Sequence, residues 1–185
     1  MFQEIEAKLK VASLAQVKQR LSECGASFVS EKVQVDCYYD TEDRQLTRTD
    51  RCLRLRRERT GQRERLILTF KGPRESDDFK KRTEVNLVFS DVEAVECLVE
   101  GLGYRRALAF DKRRFVWNLQ DCEVALDELP LIGVFVEIEG AESERIGQVR
   151  ETLGLADAPH VMESYASLID AALSQQGSDR SEVYL

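Results

Sequence analysis

A chain of 185 residues, 43% of them hydrophobic, can bury one substantial core, as one large domain or two small ones. Charged residues make up 33%, above the usual quarter, and the formal charge of −7 argues against a general nucleic-acid binder, which carries a basic excess. Five scattered cysteines (Cys24, Cys37, Cys52, Cys97 and Cys122) form no CxxC pair, against a zinc framework or a disulfide scaffold. Neither a signal-peptide pattern nor a transmembrane-length run is present, so a cytoplasmic protein with reduced thiols and no membrane partner is expected.

In chain order, Glu4-Ile5-Glu6-Ala7-Lys8 alternates charged and apolar residues with the period of a β-strand, placing Glu4, Glu6 and Lys8 on one face. Ser13-Leu14-Ala15-Gln16 has the form of a capping box, followed by Leu14, Val17, Leu21 and Cys24 at helical spacing and Gly25 as the stop. Phe28 to Asp40 reads as one or two strands, and Thr41–Asp50 is polar and turn-rich. Leu53–Arg57 and Arg65–Lys71 are strands around a hairpin tip at Thr60-Gly61-Gln62, and Gly72-Pro73 is expected to end the second. Arg74–Lys81 is a densely charged stretch with the composition of a lid.

The pattern then restarts. Arg82–Phe89 is a strand, Ser90-Asp91-Val92-Glu93 a second capping box, and Val92, Val95, Leu98, Val99 and Leu102 a helix face stopped by Gly103. An offset of 78 sets Glu6 on Glu84, Leu9 on Leu87, Val17 on Val95 and Gly25 on Gly103. Strands follow at Arg105–Trp117, Glu123–Asp127 and Gly133–Glu139, then helices from Ser143 to Leu153 and from Ser164 to Gln176. Residues 1–176 thus read as one domain, and Gly177–Leu185 as a polar tail expected to fray.

The expected fold is α+β: a closed antiparallel eight-stranded β-barrel built from two pseudo-repeated halves, its lumen charged and its helices packed outside. Solvated surface strands would alternate in the same way, but here the alternation recurs on strand after strand. By parity the lumen face carries Lys8, Arg54, Arg56, Lys71, Arg82, Lys112 and Arg114, and with them Glu4, Glu6, Glu84, Asp127, Glu137 and Glu139. So many enclosed charges of both signs require a hydrated cavity with a bound ligand. The basic set suits a polyphosphate, and the carboxylates suit a hard divalent cation, Mg²⁺ or Mn²⁺. Lone His160 and the scattered cysteines offer no softer metal site.

These residues resemble the CYTH superfamily, the triphosphate tunnel metalloenzymes. Glu4-x-Glu6-x-Lys8 matches its ExExK signature. The likeness runs on through Gln34–Asp40, Leu53-Arg54-Leu55-Arg56, Leu68–Pro73, Arg82-x-Glu84, Lys112-x-Arg114, Ala125-Leu126-Asp127, Gly133-x-Phe135-x-Glu137-x-Glu139 and Ser164-Tyr165. It covers nearly the whole chain and is nearest to the CyaB-type class IV adenylyl cyclases. The resemblance implies Glu4, Glu6 and Lys8 in catalysis, the seven basic residues on a triphosphate, and the six acidic residues on one or two metals. Asn86 stands where the family often has a further acid.

Three functions fit this expectation. A class IV cyclase making cyclic AMP and pyrophosphate from ATP comes first, and an inorganic or thiamine triphosphatase second. A non-catalytic polyphosphate- or nucleotide-binding module comes third, opposed by the number of carboxylates. The expected partner is a nucleoside triphosphate or another triphosphate, not nucleic acid, and a homodimer is compatible with the sequence.

Overall fold

The computed structural model describes residues 2–75, 80–178 and 180–185. In chain order the elements are β1 (Phe2–Lys10), α1 (Leu14–Glu23), β2 (Ser27–Asp40), α2 (Gln45–Arg48), β3 (Cys52–Thr60), β4 (Arg63–Glu75) and β5 (Lys80–Phe89). There follow α3 (Val92–Gly101), β6 (Arg105–Leu119), β7 (Cys122–Leu129), β8 (Gly133–Glu139), α4 (Ser143–Thr152), α5 (Tyr165–Gln175) and β9 (Glu182–Val183).

The fold is α+β. Eight antiparallel strands form a strongly curled sheet in the order β2-β3-β4-β5-β1-β8-β7-β6, and β2 pairs with β6 as well as with β3. Period-two alternation separates the faces, as parity requires. Apolar side chains of the outer face pack under helices. Ala7, Leu9, Val136 and Ile138 lie beneath α1 and α4, whereas α5 packs on apolar residues of the inner parity, Leu108, Phe110 and Phe135, at one end of the cavity. Cys37, Leu55 and Ala109 lie in the cluster of Val99 on α3. The inner face keeps the charges.

The repeat is visible in the strand register. The offset of 78 carries α1 onto α3, residue for residue. It also carries Glu4 onto Arg82, which face each other in the β1–β5 ladder, and Gln34 onto Lys112, which face each other in the β2–β6 ladder. Register shifts in the latter ladder skip Val29 on one strand and Ala107 on the other, again equivalent positions. The two halves are therefore related by a pseudo-two-fold axis through both ladders.

Several local expectations change. The Ser13 side chain makes no capping bond, and α3 is capped by Asp91, whose carboxylate accepts from Ala94 N–H at 3.0 Å. Strand β4 does not end at Gly72-Pro73. The register passes from Lys71↔Glu84 to Arg74↔Arg82, so Gly72 and Pro73 together oppose Thr83 in a bulge, where proline's missing N–H removes no ladder bond. Turn-rich Thr41–Asp50 contains the short helix α2. The tail does not fray throughout: β9 pairs parallel with β6, and Ala109 N–H donates to Ser181 O at 2.7 Å. The centre of the expected lid, Ser76–Phe79, lies outside the described residues.

Candidate active site

The inner face of the sheet lines a cavity of about 440 Å³. All seven basic residues named from parity reach it: Lys8, Arg54, Arg56, Lys71, Arg82, Lys112 and Arg114. Of the acidic set, Glu6, Glu84, Glu137 and Glu139 line it too. Asp127 is fully buried behind the wall, and the side chain of Glu4 lies outside the described residues, though its backbone pairs with Arg82.

Fixed carboxylates hold the basic residues in place. On β2, Asp36 is 1% exposed and accepts from Arg56 Nε at 2.6 Å and Nη2 at 2.7 Å, with Arg54 Nε 3.9 Å away. Burial alone would raise its pKa, but Arg56 and Arg54 outweigh that and hold it well below the carboxylate range. On β7, Asp127 accepts from Arg114 Nε at 2.7 Å and from Lys112 Nζ at 3.4 Å. Asp127, expected among metal ligands, is thus occupied by its two cations.

A second chain of bonds joins β3, β4 and β5. Arg54 Nη2 donates to Thr69 Oγ1 at 3.2 Å, the Thr69 hydroxyl to Asn86 Oδ1 at 2.7 Å, and Asn86 Nδ2 to Glu84 at 2.6 Å. Lys71 Nζ sits 2.6 Å from the other Glu84 oxygen. Against the desolvation of burial, Lys71 and then Asn86 bring the Glu84 pKa down to about 2. Asn86, the departure from the family pattern, therefore links Thr69 to Glu84. The Nε groups of Arg54 and Arg82 are buried on the cavity wall with no hydrogen-bond partner among the described residues. Unpaired buried guanidinium N–H groups are costly, and an anion in the cavity would satisfy them.

On the opposite side, carboxylates and basic residues interleave. The β1–β8 register sets Glu6 against Glu139 and Lys8 against Glu137. Lys8 Nζ lies 3.2 Å from Glu137 and 3.7 Å from Glu6, and Arg114 bonds Glu137 as well. Among the described residues, no three carboxylates converge on one point. Of the six acids expected on one or two metals, Glu84 pairs with Lys71 and Asp127 with Arg114. Glu6, Glu137 and Glu139 stand together on β1 and β8, Glu137 paired with Lys8 and Arg114. Those three offer only hard oxygen donors beside a basic wall, which fits Mg²⁺ or Mn²⁺ rather than a softer ion.

Sequence reasoning missed several lining residues. Tyr165, at the start of α5, has its ring 4.1 Å from Lys8 Nζ and 4.9 Å from Lys112 Nζ. Burial, with Arg114 and Arg56 nearby, pushes the Lys112 pKa down to about 7 despite Asp127 and Glu137. Asp40 organises the mouth, accepting from the Leu46 and Thr47 amides at 2.8 and 2.9 Å and so positioning Arg44, Asp50 and Arg51 at its rim. Asp36 and Asp40 carried a usable signal: both stand on the inner parity of β2. Tyr165 stands out in the sequence only through the Ser164-Tyr165 match to the family, with no role attached, because a tyrosine opening a helix otherwise has the same sequence signature as core.

A family model described as the CYTH domain matches residues 3–159. A Methanocaldococcus jannaschii protein named "putative adenylate cyclase" is 26% identical over 174 residues, spanning 89% of this chain and 97% of the relative. Among solved structures, a Pyrococcus horikoshii protein superposes with a TM-score of 0.79 at 25% identity, covering 91% of this chain and 98% of its own. A Hippeastrum protein gives a TM-score of 0.70 at 17% identity, covering 95% and 96%; it is described as a putative adenylyl cyclase with a dominant triphosphatase activity.

Proposed function

Because the chain belongs to the CYTH domain family, we propose that its curled sheet is a triphosphate tunnel, closed by the β2–β6 ladder, in which a metal-dependent enzyme processes a triphosphate. The observation that carries this reading is seven basic side chains lining one cavity together with Glu6, Glu137 and Glu139, which stand among Lys8 and Arg114 on one side of it. Arg54, Arg56, Lys71 and Arg82 bind phosphate oxygens on one side, and Lys8, Lys112 and Arg114 on the other. Asp36 and Asp127 fix the guanidinium planes before substrate arrives, so little is lost in ordering them. Glu6, Glu137 and Glu139, joined by Glu4, would hold Mg²⁺ or Mn²⁺, which supplies charge neutralisation and a Lewis acid.

The first choice of reaction is class IV adenylyl cyclisation of ATP to cyclic AMP and pyrophosphate. Beyond the charged walls the same cavity is lined by Leu46, Leu53, Ala107, Leu108, Ala166 and Ala171. That apolar stretch supports a substrate with an organic group on its triphosphate over bare tripolyphosphate. The relative named as an adenylate cyclase favours the same choice. Hydrolysis of a triphosphate is the second reading, favoured by the activity described for the Hippeastrum neighbour. Both need in-line attack on phosphorus and differ in whether a ribose hydroxyl or water is placed there.

The deciding experiment incubates the purified protein with ATP, tripolyphosphate and thiamine triphosphate under Mg²⁺ or Mn²⁺ and identifies products. Cyclic AMP with pyrophosphate is expected. Orthophosphate with a diphosphate supports the second reading, and no turnover of any of the three overturns both.

A further inference from the structure

The pseudo-two-fold axis provides an internal control for what each outer surface should look like. Around the first half, α4 covers the outer faces of β1 and β8. Ala7, Leu9, Val136 and Ile138 are all 0% exposed in one cluster with Ile146, Val149 and Leu153. The equivalent strands of the other half are β5 and β4. The β4–β5 pair Lys71↔Glu84 corresponds to the β8–β1 pair Glu139↔Glu6. That places Val85, Leu87 and Phe70 where Ala7, Leu9 and Ile138 stand. They are 42%, 59% and 39% exposed. Among the described residues no helix lies over them, because β4 leads on to β5 where β8 leads to α4.

The helix beside this uncovered slot also departs from its equivalent. On α1, Arg20 donates to Thr152 O of α4 at 3.4 Å, and the Cys24 thiol approaches the same oxygen at 3.7 Å. These two side chains mark the edge that α1 turns towards α4. The offset carries them onto Leu98 and Leu102. Both leucines are exposed, at 59% and 67%. Gln16 and Gln19 of α1 become Ala94 and Cys97 on α3, so the whole edge is apolar and small.

We propose that the slot is filled by α3 of a second copy, so that two chains associate about a two-fold axis with their α3 helices side by side. Each α3 then takes, over its partner's β4–β5 face, the place that α4 takes over β1–β8. The surface is self-complementary, as such an interface demands, because one chain carries both the slot and the apolar helix edge that fits it. Its five exposed side chains supply roughly 500 Å² of apolar surface, compared with about 800 Å² per partner in a standard stable interface. Charge agrees at the rim. The charged residues of α3 are all acidic (Glu93, Glu96 and Glu100), and the outer face of β3 beside the slot presents exposed Arg57 and Arg59. This pairing involves no cavity residue and does not rest on the catalytic reading.

Sedimentation equilibrium of the full chain across the micromolar range tests it. The wild type should be a dimer, and Leu98→Arg should weaken association about a hundredfold or more by placing an unpaired charge in the interface. Leu98→Arg restores the residue type that α1 carries at the equivalent Arg20, so the fold should tolerate it, and a thermal melt of the monomer checks this. Leu87→Glu, on the strand side of the slot, should act in the same direction without touching α3. A wild type that stays monomeric overturns the proposal, and so does a dimer that survives either substitution unchanged.

Discussion

Arg114 stands on β6 where Asp36 stands on β2, and the two make the same ion pair with the charges exchanged. Asp36 holds Arg56 across the β2–β3 ladder at 2.6 Å, and Arg114 holds Asp127 across the β6–β7 ladder at 2.7 Å. A second pair diverges further. Lys71 faces Glu84, whereas the equivalent Glu139 faces another carboxylate, Glu6. The halves share a backbone plan, but their charge exchange gathers Glu6, Glu137 and Glu139 on one side of the cavity, interleaved with Lys8 and Arg114.

The Asp36–Arg56 pair should behave as a buried one. Arg56→Ala leaves an essentially inaccessible carboxylate with Arg54 3.9 Å away as its nearest remaining cation, and should cost about 3–5 kcal/mol in chemical denaturation. Arg57, on the outer face and 3.8 Å from Glu64, should cost under about 0.5 kcal/mol when changed to Ala. Equal losses would contradict the register that separates them.

Arg54 is the better probe of phosphate binding, because its Nε is buried without a partner among the described residues. Arg54→Ala should raise the KM by about tenfold or more, the worth of a charge-assisted hydrogen bond. The factor should be similar for ATP and tripolyphosphate, since both present the same phosphates. An effect confined to ATP would move Arg54 to the nucleoside end.

Glu139→Gln should abolish most metal-dependent turnover and shift the Mg²⁺ requirement upward. Without ligand it should raise the melting temperature, because one of two carboxylates facing each other across β1 and β8 is removed. Unchanged turnover at low Mg²⁺ would remove Glu139 from the metal site.

Lys112 sets a pH dependence. Its folded pKa of about 7 lies below the ordinary 10.5, so the unfolded chain binds more protons between those values. Stability referable to Lys112 therefore falls as pH drops from about 10.5 to about 7 and is constant below, and Lys112→Met should flatten that slope. A triphosphate beside the ammonium raises its pKa again. Calorimetry at pH 8 in buffers of different ionisation enthalpy should show about one proton more taken up on tripolyphosphate binding by the wild type than by Lys112→Met.

Strand parity is local covalent geometry, so the sequence alone was enough to say which side chains share a face. Lys8, Arg54, Arg56, Lys71, Arg82, Lys112 and Arg114 reached the cavity because residues two apart on a strand must point the same way. The offset of 78 was legible for the same reason, as a recurrence of strand and helix periods. Pairings between distant strands were not legible, because they depend on register across the curled sheet. Only the tertiary structure decided that Asp127 serves Arg114, that Asn86 links Thr69 to Glu84, and that Pro73 falls harmlessly in a bulge. It alone brought the Tyr165 ring beneath Lys8 from the far end of the chain. Exposure was undecided too: Leu87 and Leu9 occupy equivalent places, and what covers a leucine depends on a helix elsewhere in the chain.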